Sequence, residues 1–306
     1  MKLFLGVDGG QSGTTSLIGD ETGRILGEGE AGPCNHAAAG EGRAKLERAV
    51  RESVSAACAA GGLDPGTVQF EAACFGMSGG PDDKREILAG ILRTACLVVT
   101  TDAAIALAGA TGGGQGIVVI AGTGSIALGR DGGGRTVRAG GWGYVFGDEG
   151  GAFDIARQAL RAALRMEEGW GPDTALRRVL LEATGAATVN EVLHLFYTPE
   201  WPRSRVALLA AAVDEAARHS DPIAHRILNN SAQELALLAA AVRGQLWKAE
   251  QSVEVAYVGG VFQSGMLLER FRVLVEMDGS ARVIAPQRGP AEGALIEARR
   301  AGGIRV

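Results

Sequence analysis

The chain has 306 residues, of which 46% are hydrophobic, so it is long enough for two domains that each have a core. A net charge of −5 without a basic run gives little support for binding nucleic acid or an anionic membrane surface. No apolar run reaches the roughly 18 residues of a membrane span, and a strand pattern begins directly after Met1-Lys2, so we expect a cytoplasmic protein without a signal peptide.

Four cysteines and four histidines are present, at spacings that match neither a zinc site nor a disulfide framework. We therefore predict reduced cysteines and no metal site made by protein side chains alone.

Strand and helix patterns alternate in the first half of the chain. A helix is predicted where apolar residues recur at helical spacing, and short strands where apolar runs end in turn residues. The predicted strands are 2–8, 14–20, 24–31, 70–77 and 97–101, and the predicted helices are 42–60 and 82–94. This succession favours a mixed sheet with crossover helices.

The same pattern restarts near residue 115. Strands are predicted at 117–121, 125–129, 136–140, 253–258 and 282–285, and helices at 149–247, 264–276 and from 290, the first of these with breaks at 169–172, 185 and 198–202. The order βββαβαβα therefore occurs twice, with a helical insert in the second copy. We predict an N-terminal domain at 1–112, a C-terminal domain at 113–289, and a last helix at 290–306 that returns to the first domain.

Two glycine-rich turns, each following an apolar strand, are candidate phosphate sites. Residues 8–14 form the first turn and 122–125 the second. Glycine accepts positive φ and has no Cβ, so the backbone N–H groups of such turns can converge on an anion. Asp8, at the end of its strand, suits a carboxylate that holds hydrated Mg²⁺. With 47 glycines in the chain, an ordinary hairpin connection explains either turn alone equally well.

Asp102 and Trp142 are the other candidate functional residues. Asp102 follows a buried strand, where an aspartate can simply cap a helix, but phosphoryl transfer to a hydroxyl also needs a carboxylate to accept a proton. Trp142 is either a core aromatic or, among the glycines of 140–151 and near Asp148 and Glu149, a wall for a sugar.

Together these motifs resemble the superfamily of sugar kinases, Hsc70 and actin. The segment Gly-Gly-Trp-Gly-Tyr-Val-Phe-Gly-Asp-Glu-Gly-Gly at 140–151 is the most specific, and it is similar to the N-acetylglucosamine kinase branch of the BadF/BadG/BcrA/BcrD ATPase family. The resemblance covers nearly the whole chain. It implies an α/β fold with two ribonuclease H-like, actin-like ATPase domains and an interdomain cleft.

The resemblance also implies functional residues, with ATP and Mg²⁺ as cofactors. Asp102 is implied as the catalytic base, and Asp8 as the residue that holds Mg²⁺ through water. The residues implied for ATP are Asp8, Gly9, Gly10, Gln11, Ser12, Gly13, Thr14, Gly122, Thr123, Gly124, Ser125, Gly259, Gly260, Val261 and Phe262. Those implied for the sugar are Asn35, His36, Ser78, Gly79, Asp102, Gly141, Trp142, Gly143, Asp148 and Glu149.

The implied activity is ATP-dependent phosphorylation of the 6-hydroxyl of N-acetylglucosamine or a close amino sugar. A glucosamine kinase and an ATPase that activates a partner enzyme, as in the BadF/BcrA type, are the alternatives. The chain lacks the cysteines with which the dehydratase activators hold an iron–sulfur cluster, and it lacks the zinc cluster of the ROK kinases. A sugar-sensing module is disfavoured because Asp8, Asp102 and both turns are present. A homodimer is expected because twofold dimers are the commonest oligomers.

Overall fold

The chain forms two compact units. The computed structural model describes residues 1–10, 13–34, 42–79 and 84–305. Unit 1 comprises Met1–Gly116 and Ala285–Val306, and unit 2 comprises Ile117–Ile284. The chain thus changes unit after residues 116 and 284, whereas the predicted domain changes lie after residues 112 and 289.

Unit 1 contains a five-stranded mixed sheet in the order β3-β2-β1-β4-β5. β1 pairs with β2 antiparallel and with β4 parallel, and β5 is parallel to β4. The elements in chain order are β1 Leu3–Gly9, β2 Thr14–Asp20, β3 Ile25–Ala31, α1 Gly42–Ala60, β4 Phe70–Met77, α2 Arg85–Ala89, β5 Thr94–Thr101 and α3 Asp102–Ala110, with α11 Pro290–Ala301 at the end of the chain.

Helices cover both faces of this sheet, which explains why β1 is apolar along almost its whole length. Leu5 and Val7 face a cluster that includes Leu46 and Val50 of α1. Phe4, on the opposite face, packs with Ile105 of α3 and Leu295 of α11. At Gly6 an added Cβ would lie 2.2 Å from the backbone N of Leu295, so this glycine is what lets α11 pack closely on the strand.

Unit 2 repeats the strand order, as β10-β9-β6-β7-β8. β7 and β8 are antiparallel, and β9 is parallel to both β6 and β10. The strands are β6 Gly116–Ala121, β7 Ser125–Arg130, β8 Thr136–Gly140, β9 Val253–Val258 and β10 Ala281–Ile284. The helices are α4 Ala152–Glu167, α5 Leu176–Thr184, α6 Val189–Leu195, α7 Arg203–Ala207, α8 Ala210–Arg218, α9 Pro222–Leu246 and α10 Gly265–Glu276.

The two five-stranded α/β sheets with this strand order confirm the predicted fold class of actin-like ATPase domains. Six helices, α4 to α9, lie between β8 and β9. None of the helices in the described part of the chain combines the length and the apolar character needed to cross a membrane.

Three predicted elements of the secondary structure were wrong in extent. The helix expected at 82–94 is described only over Arg85–Ala89 and ends at Gly90. The strand expected at 97–101 begins at Thr94, which pairs with Phe70. The long helical stretch has a further break at 219–221. There Ser220 has φ 64° and the Asp221 carboxylate caps α9 by accepting hydrogen bonds from the N–H groups of Ile223 and Ala224.

Candidate active site

The first glycine-rich turn connects β1 to β2 in unit 1. The Gly10 N–H donates to the Gly13 carbonyl at 2.9 Å, and the Cys34 N–H donates to the Gly10 carbonyl at 3.0 Å. The Ser78 N–H donates to the Gly9 carbonyl at 3.2 Å, which joins the end of β4 to the turn. The turn is thereby fixed by the backbone of two neighbouring segments.

Thr14 is buried beneath this turn. Its hydroxyl donates to the Gly32 carbonyl at 2.8 Å and lies 2.9 Å from the Cys34 sulfur. The hydroxyl is therefore engaged in holding the two chain segments together. Gln11 and Ser12 of the same predicted turn lie outside the described residues, as do Asn35 and His36 of the predicted sugar loop.

Asp8 and Asp102 carry the negative charge of this site. The strand register places Asp8 beside Gly76 of β4, and Met77 beside Thr101, immediately before Asp102. The pKa of Asp8 is raised to about 6, first because the carboxyl is buried and second because the charge of Asp102 opposes its ionisation. The carboxyl ends of three neighbouring strands thus bring two carboxylates close together, as expected for a ligand site in such a sheet.

Asp102 is exposed, and both of its carboxylate oxygens have a donor. The Ser78 hydroxyl donates to Oδ2 at 2.8 Å, and the Ala103 N–H donates to Oδ1 at 2.8 Å. Each oxygen keeps a free lone pair, since a carboxylate oxygen accepts more than one hydrogen bond. The arrangement fixes the carboxylate without using up its capacity to accept a proton.

The helix cap lies one residue earlier than the sequence suggested. Thr101 is the N-cap of α3, and its side chain accepts a hydrogen bond from the Ala104 N–H. Asp102 is the first residue of the helix, so capping does not account for its carboxylate. The positive end of the helix dipole instead stabilises its charge.

The surroundings of Asp8 fit a divalent cation. No lysine or arginine of the described ranges forms an ion pair with Asp8, while Asp102 adds a second negative charge nearby. A hydrated Mg²⁺ prefers oxygen ligands and needs only one or two carboxylates when phosphates supply the rest. Among the residues that the structure describes, no three side chains form a ready-made metal cluster.

The second turn, Gly122–Ser125, lies between β6 and β7 in unit 2. The Gly122 N–H donates to the Gly124 carbonyl at 3.0 Å, and α4 begins directly against the turn because the Ala152 N–H donates to the Gly122 carbonyl at 2.9 Å. The Ser125 hydroxyl is buried and donates to the Glu149 carbonyl at 2.6 Å. The Ser125 side chain therefore anchors the loop at 141–151.

Asp148 lies against the second turn in a strained conformation. Its φ is 64°, which is uncommon for a residue other than glycine, and its side chain is buried. Oδ2 accepts a hydrogen bond from Nη2 of Arg203 at 3.0 Å. A Cβ at Gly124 would lie 2.3 Å from the same oxygen, so the carboxylate occupies space that only glycine leaves free.

Trp142 is exposed over 65% of its surface and does not belong to the core. Gly140, Gly141 and Gly143 beside it all have positive φ, and the Gly141 N–H donates to the Ser125 carbonyl at 3.0 Å. The guanidinium of Arg138 lies over the indole ring, 4.5 Å from the ring centroid. The ring is thus presented at the surface of unit 2 by a loop whose backbone is held at several points.

A cavity of about 470 Å³ in unit 2 adjoins the second turn. Four of the predicted ATP residues line it: Gly122, Thr123, Gly260 and Val261. The remaining lining combines alanine and leucine side chains with a few polar groups, among them Asp214, Arg218 and Gln263. Sequence patterns had not identified these polar residues, because they lie in the helical segments and carry no motif.

Two predicted adenosine residues are placed differently. Phe262 is buried in the core, where its ring lies 5.3 Å from that of Tyr257 and 5.2 Å from that of Phe271, and it does not line the cavity. Gly259 has φ 112°, and an added Cβ would lie 2.3 Å from the Ala121 carbonyl oxygen. Gly259 therefore lets β9 approach the second turn.

The comparisons with known proteins agree with this architecture. A family model described as the BadF/BadG/BcrA/BcrD ATPase family matches residues 5–298. The chain belongs to the BadF/BadG/BcrA/BcrD ATPase family. An N-acetylmuramic acid/N-acetylglucosamine kinase of Clostridium acetobutylicum is 31% identical, with 98% of this chain and 99% of the relative covered.

Solved structures extend the family assignment to the fold. A structure from Chromobacterium violaceum, assigned as an N-acetylglucosamine kinase, has a TM-score of 0.80 and 28% identity over 97% of this chain and 98% of its own. A ROK family glucokinase from Streptomyces griseus shares the fold alone, with a TM-score of 0.58 and 19% identity over 97% of this chain and 98% of its own. The predicted family and fold are both confirmed.

Proposed function

We propose that this member of the family is an ATP-dependent kinase that phosphorylates the 6-hydroxyl of N-acetylglucosamine or a close amino sugar. The observation that carries the proposal is the exposed Asp102 carboxylate, held by Ser78 and the Ala103 N–H and close enough to Asp8 to raise its pKa. The kinase names of relatives that align over nearly the whole chain support it.

Asp102 is the general base in this proposal. The 6-hydroxyl of the sugar gives its proton to the Asp102 carboxylate, and its oxygen forms the new bond to the γ-phosphorus. The bond between that phosphorus and the bridging oxygen to the β-phosphate breaks, so ADP leaves with the electron pair. Ser78 and the Ala103 N–H fix the carboxylate orientation, which is the positioning that this reaction class requires.

The nucleotide is assigned to the two glycine-rich turns and the cavity in unit 2. The phosphates are assigned to residues 8–14 and 122–125, and Gly260 and Val261 line the cavity assigned to adenosine. Asp8 holds Mg²⁺ through water, and the metal, when bound, neutralises phosphate charge.

The sugar is assigned to the residues that the sequence predicts for it. Trp142 offers an apolar face to the C–H surface of a sugar, and Glu149 is an exposed acceptor for hydroxyl groups. The other residues assigned to the sugar are Asn35, His36, Ser78, Gly79, Gly141, Gly143 and Asp148. Because Asp148 is ion-paired with Arg203 and touches Gly124, any contact it makes to the sugar is coupled to the second turn.

Two further candidates remain from the sequence. A glucosamine kinase would use the same base and turns, and the protonated amine would suit the carboxylates near the site. A partner-activating ATPase would hydrolyse ATP without a sugar. The exposed Trp142 beside an exposed carboxylate favours a sugar ligand over water as the acceptor. The proposal further includes a cytoplasmic location and a homodimer, and light scattering on the purified protein tests the homodimer.

The decisive experiment is an ATP-consumption screen with glucose, glucosamine, N-acetylglucosamine, N-acetylmannosamine and N-acetylmuramate. ADP release that requires a sugar, with the product phosphorylated at the 6-position by NMR, supports the proposal. Asp102→Asn serves as the matched control, since it keeps the size of the side chain and removes the base. ADP release at the same rate without any sugar would instead favour the ATPase.

A further inference from the structure

Arg138 and Trp142 form an exposed pair at the surface of unit 2. Arg138 lies on β8 opposite Leu128 of β7, two residues before the strand ends. Its guanidinium covers one face of the Trp142 indole at 4.5 Å, and the ring is still 65% exposed. A cation is thus attached directly to the aromatic wall that the proposed function assigns to the sugar.

The charge of Arg138 is not neutralised by a neighbouring carboxylate. No aspartate or glutamate of the described part of the chain forms an ion pair with Arg138. Asp148, on the same loop as Trp142, is paired with Arg203 instead. Glu149 is exposed and lies near the Trp142 backbone, since both would contact a Cβ added at Gly147.

A sugar packed on this wall lies within reach of the guanidinium charge. Van der Waals contact with an indole face adds roughly 4 Å to the distance between ring and guanidinium, so a substituent on the sugar can lie within about 8 Å of the cation. That is about one Debye length at physiological ionic strength, so salt weakens this interaction without abolishing it. The charge of the substrate therefore influences binding.

We propose that Arg138 is a specificity-determining residue that favours an N-acetylhexosamine carrying a carboxylate and disfavours the protonated amine of glucosamine. The inference rests on the proposed function, because it takes Trp142 as the sugar wall. Across the indole ring the guanidinium acts through its charge, which attracts a carboxylate and repels an ammonium group. The acetamide of N-acetylglucosamine is neutral, so the charge of the guanidinium neither attracts nor repels it.

The test compares kcat/KM for three sugars of different charge: N-acetylmuramate, N-acetylglucosamine and glucosamine. In the wild type we expect measurable turnover of N-acetylmuramate and N-acetylglucosamine, with glucosamine the poorest. In Arg138→Gln the kcat/KM for N-acetylmuramate, divided by that for N-acetylglucosamine, should fall by roughly fivefold. The kcat/KM for glucosamine, divided by that for N-acetylglucosamine, should rise by a similar factor. Both changes should shrink in high salt.

Two control variants separate this role from simpler ones. Arg138→Lys keeps the charge and should retain most of the preference. Arg135→Gln removes the same charge from the β7–β8 turn, away from Trp142, and should leave the ratios unchanged. A merely structural role for the Arg138–Trp142 pair would change kcat/KM for all three sugars by the same factor and would leave their ratios unaltered.

Several results would overturn the inference. The inference would be refuted if the kcat/KM ratios between the sugars were the same in the wild type and in Arg138→Gln. It would also be refuted if Arg135→Gln changed these ratios as much as Arg138→Gln does. Turnover of N-acetylglucosamine without any turnover of N-acetylmuramate would contradict the inference and leave the proposed kinase intact. Failure of all three sugars to be phosphorylated would refute the proposed function itself.

Discussion

Replacement of Asp8 by asparagine should stabilise the protein in the absence of nucleotide and, on the proposed function, abolish its kinase activity. The pKa of Asp8 is about 6 in the folded protein and 3.8 in its ordinary state. The folded state therefore binds a proton more tightly than the unfolded chain does. Stability from this group is fully present below its ordinary pKa and is lost as the pH rises through about 6.

The pKa difference sets the size of the effect. A shift of about two units corresponds to about 3 kcal/mol, which the ionised Asp8 costs at pH 7.5. At pH 4.5 the folded protein keeps the proton while part of the unfolded population also holds one, so the cost falls to about 1 kcal/mol. An asparagine at this position cannot ionise and avoids this cost at every pH. For a domain of this size the gain at pH 7.5 corresponds to a rise in Tm of roughly 6–12 °C.

The assay is thermal unfolding of wild type and Asp8→Asn without nucleotide or divalent cations, at pH 4.5 and 7.5. Asp20→Asn, on the same sheet, is a matched control for which we expect a change in Tm of the opposite sign. The pKa of Asp20 is lowered, chiefly by the Thr22 hydroxyl hydrogen bond, so its charge stabilises the folded state above the ordinary pKa. Asp20→Asn should therefore lower the Tm at pH 7.5.

An unchanged Tm for Asp8→Asn at pH 7.5 would refute the reasoning, as would a gain of equal size at both pH values. The first result would mean that the carboxyl is not under electrostatic stress in the folded protein. The second would assign the gain to packing or hydrogen bonding of the amide. On the proposed function, the cost at Asp8 is stability given up for a carboxylate that holds the metal.

Three further sets of variants test the site. Asp102→Asn should lower turnover by at least roughly 10²-fold while sugar binding, measured by calorimetry, is largely retained; near-normal turnover would remove Asp102 as the base. Gly124→Val should weaken ATP binding strongly, because its Cβ would meet the Asp148 carboxylate, and Gly10→Val should have a similar effect. The control is Gly265→Ala in α10, which should leave the ATP Kd unchanged because a Cβ there meets nothing within 4 Å. An unaltered Kd in both valine variants would show that the turns are misassigned. N-acetylglucosamine should exceed glucosamine in kcat/KM, with a smaller preference in Trp142→Ala; an equal or better kcat/KM for glucosamine would leave the kinase but reject this substrate.

Local sequence patterns were sufficient for most of the fold. β4 over Phe70–Met77 and β9 over Val253–Val258 have the predicted bounds because each is a buried apolar run that ends at turn residues. The extent of α2 was wrong because the residues after Gly90 have no helical or strand preference strong enough to decide. Pairing of Thr94 with Phe70 begins β5 at Thr94, and such a long-range contact is not encoded locally.

The site was less accessible to sequence reasoning than the fold. Asp8 and Asp102 could be singled out because each follows a buried strand, and parallel strands place such residues at the same edge. The partner of Asp148 could not, because Arg203 lies 55 residues further along the chain and belongs to no motif. The cavity residues Asp214 and Arg218 could not either, since their proximity to Gly122 depends on how the helices of unit 2 pack.

The loop at 141–151 connects two parts of the proposed mechanism within unit 2. It carries Trp142 at one end, and at the other end the Asp148 carboxylate touches Gly124 while the Glu149 carbonyl accepts the Ser125 hydroxyl. Both ends of the loop are anchored on the same residue, because the Ser125 carbonyl accepts the Gly141 N–H and the Ser125 hydroxyl donates to the Glu149 carbonyl. A nucleotide that displaces the second turn must therefore shift Asp148, and through the loop the sugar wall. On the proposed function, sugar and ATP should consequently bind with energetic coupling, and the coupling should be reciprocal.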